Sequence, residues 1–313
     1  MHRLILFEGL PGTGKSSLSQ SIYLQRCKAG VDVSWFAEDQ RPHPLIDDRD
    51  LARIERPDEL ADYAKTRWQQ VADNAVKSDS LVVLDAALFG LTLGGLLRLD
   101  ASPELLTETS EEIDSILAPT DPVMIYLRPH DVQGVFDKML NVRGQSWTNY
   151  MADELSTSSF AVQRNVAGLE LVRTYYQELD HLFNLAYERL SLTKYAIDVD
   201  HGDFGQMRDQ IQTALGNDAP PMVSPSPEWL ESLSGTYRSI EDDTSLVLRK
   251  EGAELVIDQD QGTRLIHANS NAFMVQGMPV DVTFESQPDG PTRAIFCART
   301  ADSVDIPLEW VKE

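Results

Sequence analysis

Near its amino end the chain reads Leu6-Phe7-Glu8-Gly9-Leu10-Pro11-Gly12-Thr13-Gly14-Lys15-Ser16-Ser17. Gly9, Gly14, Lys15 and Ser16 follow the spacing of a glycine, four residues, then glycine, lysine and a hydroxyl residue. The chemistry this spacing serves is anion binding. Glycines let the backbone curl until successive N–H groups point into one concavity that no side chain fills. A helix opening near Lys15 brings the positive end of its dipole to the same spot. Lys15 can then reach the outer phosphates of a nucleotide, and the Ser16 hydroxyl can ligate Mg²⁺. The expected nucleotide-binding segment is thus Gly9, Leu10, Pro11, Gly12, Thr13, Gly14, Lys15, Ser16 and Ser17, with ATP and Mg²⁺ as its expected ligands.

Such a cradle needs a strand before it and a helix after it, and the sequence supplies both. Leu4 to Phe7 is a short apolar run, and a helix is expected from Lys15 to Arg26. Further strands are expected at Val31–Ala37, at Leu81–Leu84 ending in Asp85, at 122–127 and in the segment KYAIDV near 196. Between them lie helical patterns, one opened by Pro57 with apolar residues at Leu60, Tyr63, Ala64 and Val71, and a long one over 163–191. Strands alternating with helices predict an α/β fold with a parallel sheet covered on both faces. In such a sheet, ligands sit outside the carboxyl ends of the strands. Asp85 ends one strand there and is the expected Mg²⁺ partner alongside Ser16. Glu38 and Asp39 follow another. Either carboxylate could act as general base toward an acceptor hydroxyl, with Asp39 the first choice. His43, between prolines, is expected to shape the same loop.

The string EGLPGTGKSS resembles the phosphate loop of P-loop kinases of the nucleoside monophosphate kinase superfamily, above all the thymidylate-kinase-like branch. The resemblance covers about residues 1–216 and implies a P-loop NTPase three-layer fold with sheet order 2-3-1-4-5 and a mobile lid. It also implies an ATP-dependent kinase acting on a small hydroxylated acceptor. Arg143, just before Gly144, resembles the lid arginine that swings onto the terminal phosphate, a task suited to a planar, permanently charged fork. Lys15, Asp39, Asp85 and Arg143 are the catalytic candidates on this reading. Lys138, Arg128, Arg164 and Arg173 are lesser ones, and Trp35, Trp68 and Trp147 either fill the core or pack an aromatic acceptor. One departure matters: the family often carries Asp-Arg at the third strand end, whereas this chain has Asp85-Ala86-Ala87. That weakens the case for a nucleotide acceptor and favours a non-nucleotide alcohol. The alternative is a regulatory NTPase that switches with its nucleotide.

Residues 217–227, rich in proline, read as a linker. Beyond it, 228–313 shows short strands separated by turn signals, predicting a small antiparallel sheet or barrel that could act as the effector module of such a switch. With 27 Lys and Arg against 50 Asp and Glu, the net charge is −23, which disfavours nucleic acid and anionic membranes as partners. Glu8 and the glycine turn interrupt the apolar start, so no signal peptide is expected, and the two cysteines, Cys27 and Cys297, suggest no disulfide framework. A cytoplasmic protein is expected, with room for a homodimer.

Overall fold

The computed structural model describes residues 2–200, 202–216, 225–242, 244–258, 263–269, 271–286, 292–300 and 303–313. The first part of the chain alternates strands and helices in the order β1 (Leu4–Gly9), α1 (Lys15–Lys28), β2 (Val33–Phe36), α2 (Asp48–Leu51), α3 (Pro57–Lys77) and β3 (Leu81–Asp85). A π-helix (Ala87–Gly94) follows, then α4 (Gly95–Arg98), α5 (Pro103–Leu117), β4 (Val123–Arg128), α6 (Val132–Ser156), α7 (Ser159–Arg164), α8 (Gly168–Arg189), β5 (Thr193–Asp198) and α9 (Phe204–Ala214). The five strands form one parallel sheet in the order β2-β3-β1-β4-β5, the order the resemblance implied. Every residue of β1 is buried, as a central strand covered on both faces requires. Register sets Phe7 opposite Asp85 and Gly9 opposite Leu127, so the ends of β1, β3 and β4 come level where the glycine loop begins.

Helix boundaries follow local chemistry. α3 starts at Pro57, whose missing N–H costs nothing in a first turn, and it buries Ala61, Ala64, Trp68, Val71, Ala72 and Ala75. Trp68 has no exposed surface, and its indole N–H donates to the Thr92 hydroxyl at 3.0 Å, which makes it a core residue. The long helical region expected over 163–191 is α8, which begins five residues later than expected, at Gly168. Asn165, in the left-handed conformation, ends α7 ahead of it. Within α6 the backbone breaks at Gly144, where φ is +76°.

The second part is a short helix, α10 (Pro227–Leu233), and eight strands running from β6 (Gly235–Ser239) to β13 (Ser303–Lys312). Between these lie β7 (Ser245–Glu251), β8 (Glu254–Ile257), β9 (Thr263–Asn269), β10 (Ala272–Val275), β11 (Val280–Glu285) and β12 (Arg293–Thr300). They close as an antiparallel barrel, β10-β11-β12-β13-β6-β7-β8-β9, as the pairing of β9 with β10 requires. Leu230 and Leu233 of α10 join Tyr237, Phe273, Val282 and Phe284 in its core, and the Tyr237 hydroxyl donates to the Leu233 carbonyl at 2.8 Å. The fold is therefore an α/β parallel-sheet unit and a separate closed β-barrel. Of the expected linker, residues 217–224 lie outside the described residues, and Ser226 caps α10.

The two compact units do not part at one point of the chain. The first comprises Met1–Ser19, Asp32–Glu38 and His43–Asn217, and the second comprises Gln20–Val31, Asp39–Pro42 and Asp218–Glu313. Among the described residues, no helix is long and apolar enough to cross a membrane.

Candidate functional site

The glycine loop is held by its own bonds and by two helices. The Thr13 hydroxyl donates to the Leu10 carbonyl at 2.8 Å, and Leu18 N–H donates to the Gly14 carbonyl at 3.0 Å as α1 begins. Gly12 has φ +89°, and a Cβ there would lie 3.0 Å from the Met139 Cβ of α6, so both conformation and space demand glycine. From α8, the Tyr176 hydroxyl donates to the Pro11 carbonyl at 2.9 Å. The Tyr176 ring packs against Phe136 of α6, with centroids 5.0 Å apart. Ser16 and Ser17 stand in the first turn of α1, where the Ser19 hydroxyl donates to the Ser16 carbonyl at 3.0 Å.

Lys15 is nearly buried, and its Nζ lies 3.7 Å from the Glu38 carboxylate, which is about half exposed. Glu38 also lies across from the π-helix: a Cβ on Gly90 would be 3.6 Å from Glu38 Oε1 and 2.9 Å from the Ala86 Cβ. Beneath them sit two acids without exposed surface, Glu8 and Asp85. Leu88 and Phe89 N–H donate to the two Glu8 oxygens at 2.7 and 3.0 Å, which satisfies the first turn of the π-helix. Burial pushes the Glu8 pKa up to about 8; the Asp85 charge adds to this, while the two backbone bonds and Lys15 oppose it. Ala86, between Asp85 and the π-helix, takes the left-handed conformation at φ 55°.

A cavity of about 370 Å³ adjoins the loop, lined by Gly12, Thr13, Gly14, Lys138, Asp200 and Phe204 among others. Asp200 shapes it by accepting N–H bonds from His130 at 3.0 Å and Asp131 at 3.2 Å, and Asp131 in turn caps α6 through Gly134 N–H at 2.9 Å.

The structure thus brings together the glycine loop, Lys15, Asp85 and Glu38. Asp39, the first choice at the sequence level, is exposed and is grouped with the second unit. Arg143 is exposed at the break in α6, its guanidinium 4.9 Å from the Trp147 ring centroid. Arg164 is tied to Asp100 and Glu178, each at 2.6 Å, and lies over the Phe160 ring, so its role is structural. Arg173 pairs with Glu170 at 3.4 Å and Arg128 with Glu188 at 3.6 Å. Trp35 is buried, with its N–H donated to Ser19 Oγ at 3.0 Å, and His43 is buried, with Nδ1 accepting Leu45 N–H at 3.2 Å. Glu8, Tyr176 and the segment after β5 were not singled out from sequence. Only Glu8 carried a signal, a charge set inside an apolar strand.

No family model and no curated protein matches the chain. Solved structures resemble it at low identity. The YorR protein of Bacillus subtilis, in complex with phosphorylated GDP, matches at 14% identity and a TM-score of 0.39, covering 68% of this chain and 95% of its own. Deoxyadenosine kinase from M. mycoides with bound dATP matches at 16% identity and a TM-score of 0.41, covering 69% of this chain and 99% of its own.

Proposed function

We propose that the chain is a phosphotransferase that moves the terminal phosphoryl group of Mg-ATP to a hydroxyl of a small acceptor. The observation that carries this reading is the facing pair at the phosphate loop, Lys15 Nζ and the Glu38 carboxylate 3.7 Å apart. An ammonium that holds a phosphoryl group and a carboxylate that takes a hydroxyl proton are the two charges this reaction needs from side chains.

The residues suit the ligands. Gly12, Thr13 and Gly14 line the adjoining cavity, and a Cβ on Gly14 would meet nothing within 4 Å, which leaves this face of the loop open to phosphate oxygens. The adjoining cavity suits the base and sugar, with Lys138 at its wall. Ser16 and the buried Asp85 would hold Mg²⁺, which when bound neutralises charge on the transferring phosphates. Among the described residues no group of three or more His, Cys, Asp or Glu is placed to hold a metal. Mg²⁺ at a nucleotide is ordinarily held by one or two protein oxygens plus phosphates and water, so this pair suffices. Glu38, rather than Asp39, orients the acceptor and accepts its proton. Glu8 braces the π-helix that walls the acceptor side. Arg143, stacked on Trp147 beside the Gly144 break, closes onto the phosphates.

The test is ADP release with Mg-ATP and a panel of polyols, amino alcohols and nucleosides. One acceptor class should raise the rate at least about 10-fold above water alone, consistent with acceptor positioning. Lys15→Ala should lower transfer about 100-fold or more. Glu38→Gln should lower it about 100-fold, while Asp39→Asn stays within about 3-fold. Slow hydrolysis indifferent to every acceptor would favour the nucleotide-switch alternative. Absence of heat on mixing with Mg-ATP or Mg-GTP would remove nucleotide binding altogether.

A further inference from the structure

Helix α1 reads KSSLSQSIYLQRCK. Its sequence is polar around most of its circumference, yet Ser19, Gln20, Ser21, Gln25 and Arg26 are all buried. Here the second compact unit contains Gln20–Val31 together with the barrel strands.

Within that unit one side chain accounts for much of the arrangement. Gln20 has no exposed surface, and its amide meets the turn Val275–Met278, whose own closing bond runs from Met278 N–H to the Val275 carbonyl at 3.1 Å. Gln20 Nε2 donates to the Val275 carbonyl at 2.9 Å and to the Met278 carbonyl at 3.2 Å. Gln20 Oε1 accepts Gly277 N–H at 2.9 Å. Two donors and one acceptor thus match two carbonyls and one N–H, a pattern only a primary amide supplies. Gly277 permits it, because the turn has φ +70° there. A second tie lies in the same unit, where Arg41 N–H donates to the Arg299 carbonyl at 2.9 Å, three residues after Glu38. One turn along α1, Tyr23 lies in the field of Arg299 and Asp281, themselves paired at 2.8 Å.

We propose that Gln20 is a positioning residue: its amide fastens helix α1, and through that helix the phosphate loop at its start, to the barrel turn Val275–Met278. The barrel is then a brace for the site. Gln20 stands five positions after Lys15 along one helix, so an anchor at Gln20 limits how far the first turn can rotate or fray. The companion tie at Arg41 restrains the segment that carries Glu38.

The inference rests on reading Gly9–Ser17 as the phosphate loop, but its test does not require turnover. Hydrogen exchange of the full chain is compared between wild type and Gln20→Met, which keeps side-chain volume and removes all three bonds. The bonded amides of Thr13 and Leu18, which donate to the Leu10 and Gly14 carbonyls, should exchange at least about 10-fold faster in the variant, with β7 and β8 of the barrel unchanged, and Kd for Mg-ATP should rise at least about 5-fold. Acceleration confined to the turn, or uniform across the protein, would overturn the positioning role. Should Gln20→Met not fold, wild-type exchange in rising urea decides instead. The bonded amides of Thr13 and Leu18, of α1 after Gln20 and of the turn should then share one opening free energy, and separate openings would overturn the inference. A wild type that shows this exchange pattern but binds no nucleotide would refute the functional reading and leave the brace standing.

Discussion

Glu8 concentrates the electrostatics of the site in one residue. Its carboxyl has no exposed surface, yet both oxygens accept backbone N–H groups from the π-helix. Burial dominates and raises its pKa from the usual 4.5 to about 8. The folded state therefore holds the Glu8 proton more tightly than the unfolded chain does. The stability this gives is full below about pH 4.5 and is lost as pH rises through about 8. Urea midpoints measured from pH 5 to 9 should fall in the wild type, by a few kcal/mol of stability at most. In Glu8→Gln that slope should flatten, even though its amide cannot accept both N–H bonds and the absolute stability drops. Equal slopes would show that Glu8 ionises freely. At this scale the sequence was half legible. Anion chemistry fixes both the types and the spacing of Gly9–Ser17, so the loop could be read directly. Glu38 and Asp39 could not be separated, because both lie in the turn after β2 and only the tertiary path decides which one meets Lys15.

Among the elements, those with local causes were legible. Pro57 opens α3, and the apolar runs mark β1, β3 and β4. The π-helix was not, since nothing in Ala87–Gly94 announces its period. It depends on Ala86 turning left-handed and on a carboxylate arriving from β1, eighty residues earlier in sequence. The later start of the helix expected over 163–191 rests on Asn165 and Gly168, residues able to take positive φ. In α6 the break falls at Gly144, which sets Arg143 at the end of the first helical half with its guanidinium on Trp147. A cation resting on a ring can leave it for phosphate oxygens, a stronger bidentate partner. On the lid role proposed for Arg143 that contact would tighten as charge develops on the transferring group, so Arg143→Ala should lower kcat about 10- to 100-fold and change Kd for Mg-ATP less than about 3-fold. Steady-state kinetics with parallel calorimetry checks this. A loss seen only in Kd would make Arg143 a ground-state contact.

At the scale of the molecule, composition located the change of texture around 217–227 but not the membership of the two units. Nothing in KSSLSQSIYLQRCK states that Gln20 is buried, because its partners lie more than 250 residues away in sequence. Pattern reading works within a helical turn or a strand pair and has no access to such pairings. The consequence is measurable in a chain ended at 216, which retains the parallel sheet and the loop but lacks the turn Val275–Met278. Gln20 then trades three protein hydrogen bonds for water. At about 0.5–1.5 kcal/mol net for each, this fragment should unfold with roughly 2–4 kcal/mol less stability. For a unit near this size that is a Tm lower by roughly 5–15 °C. It should still bind Mg-ATP, but more weakly, since its loop is fixed at one end only. Thermal circular dichroism and calorimetry on the fragment and the full chain decide the matter. A fragment as stable and as tight-binding as the whole would mean that the barrel contributes nothing to the phosphate loop.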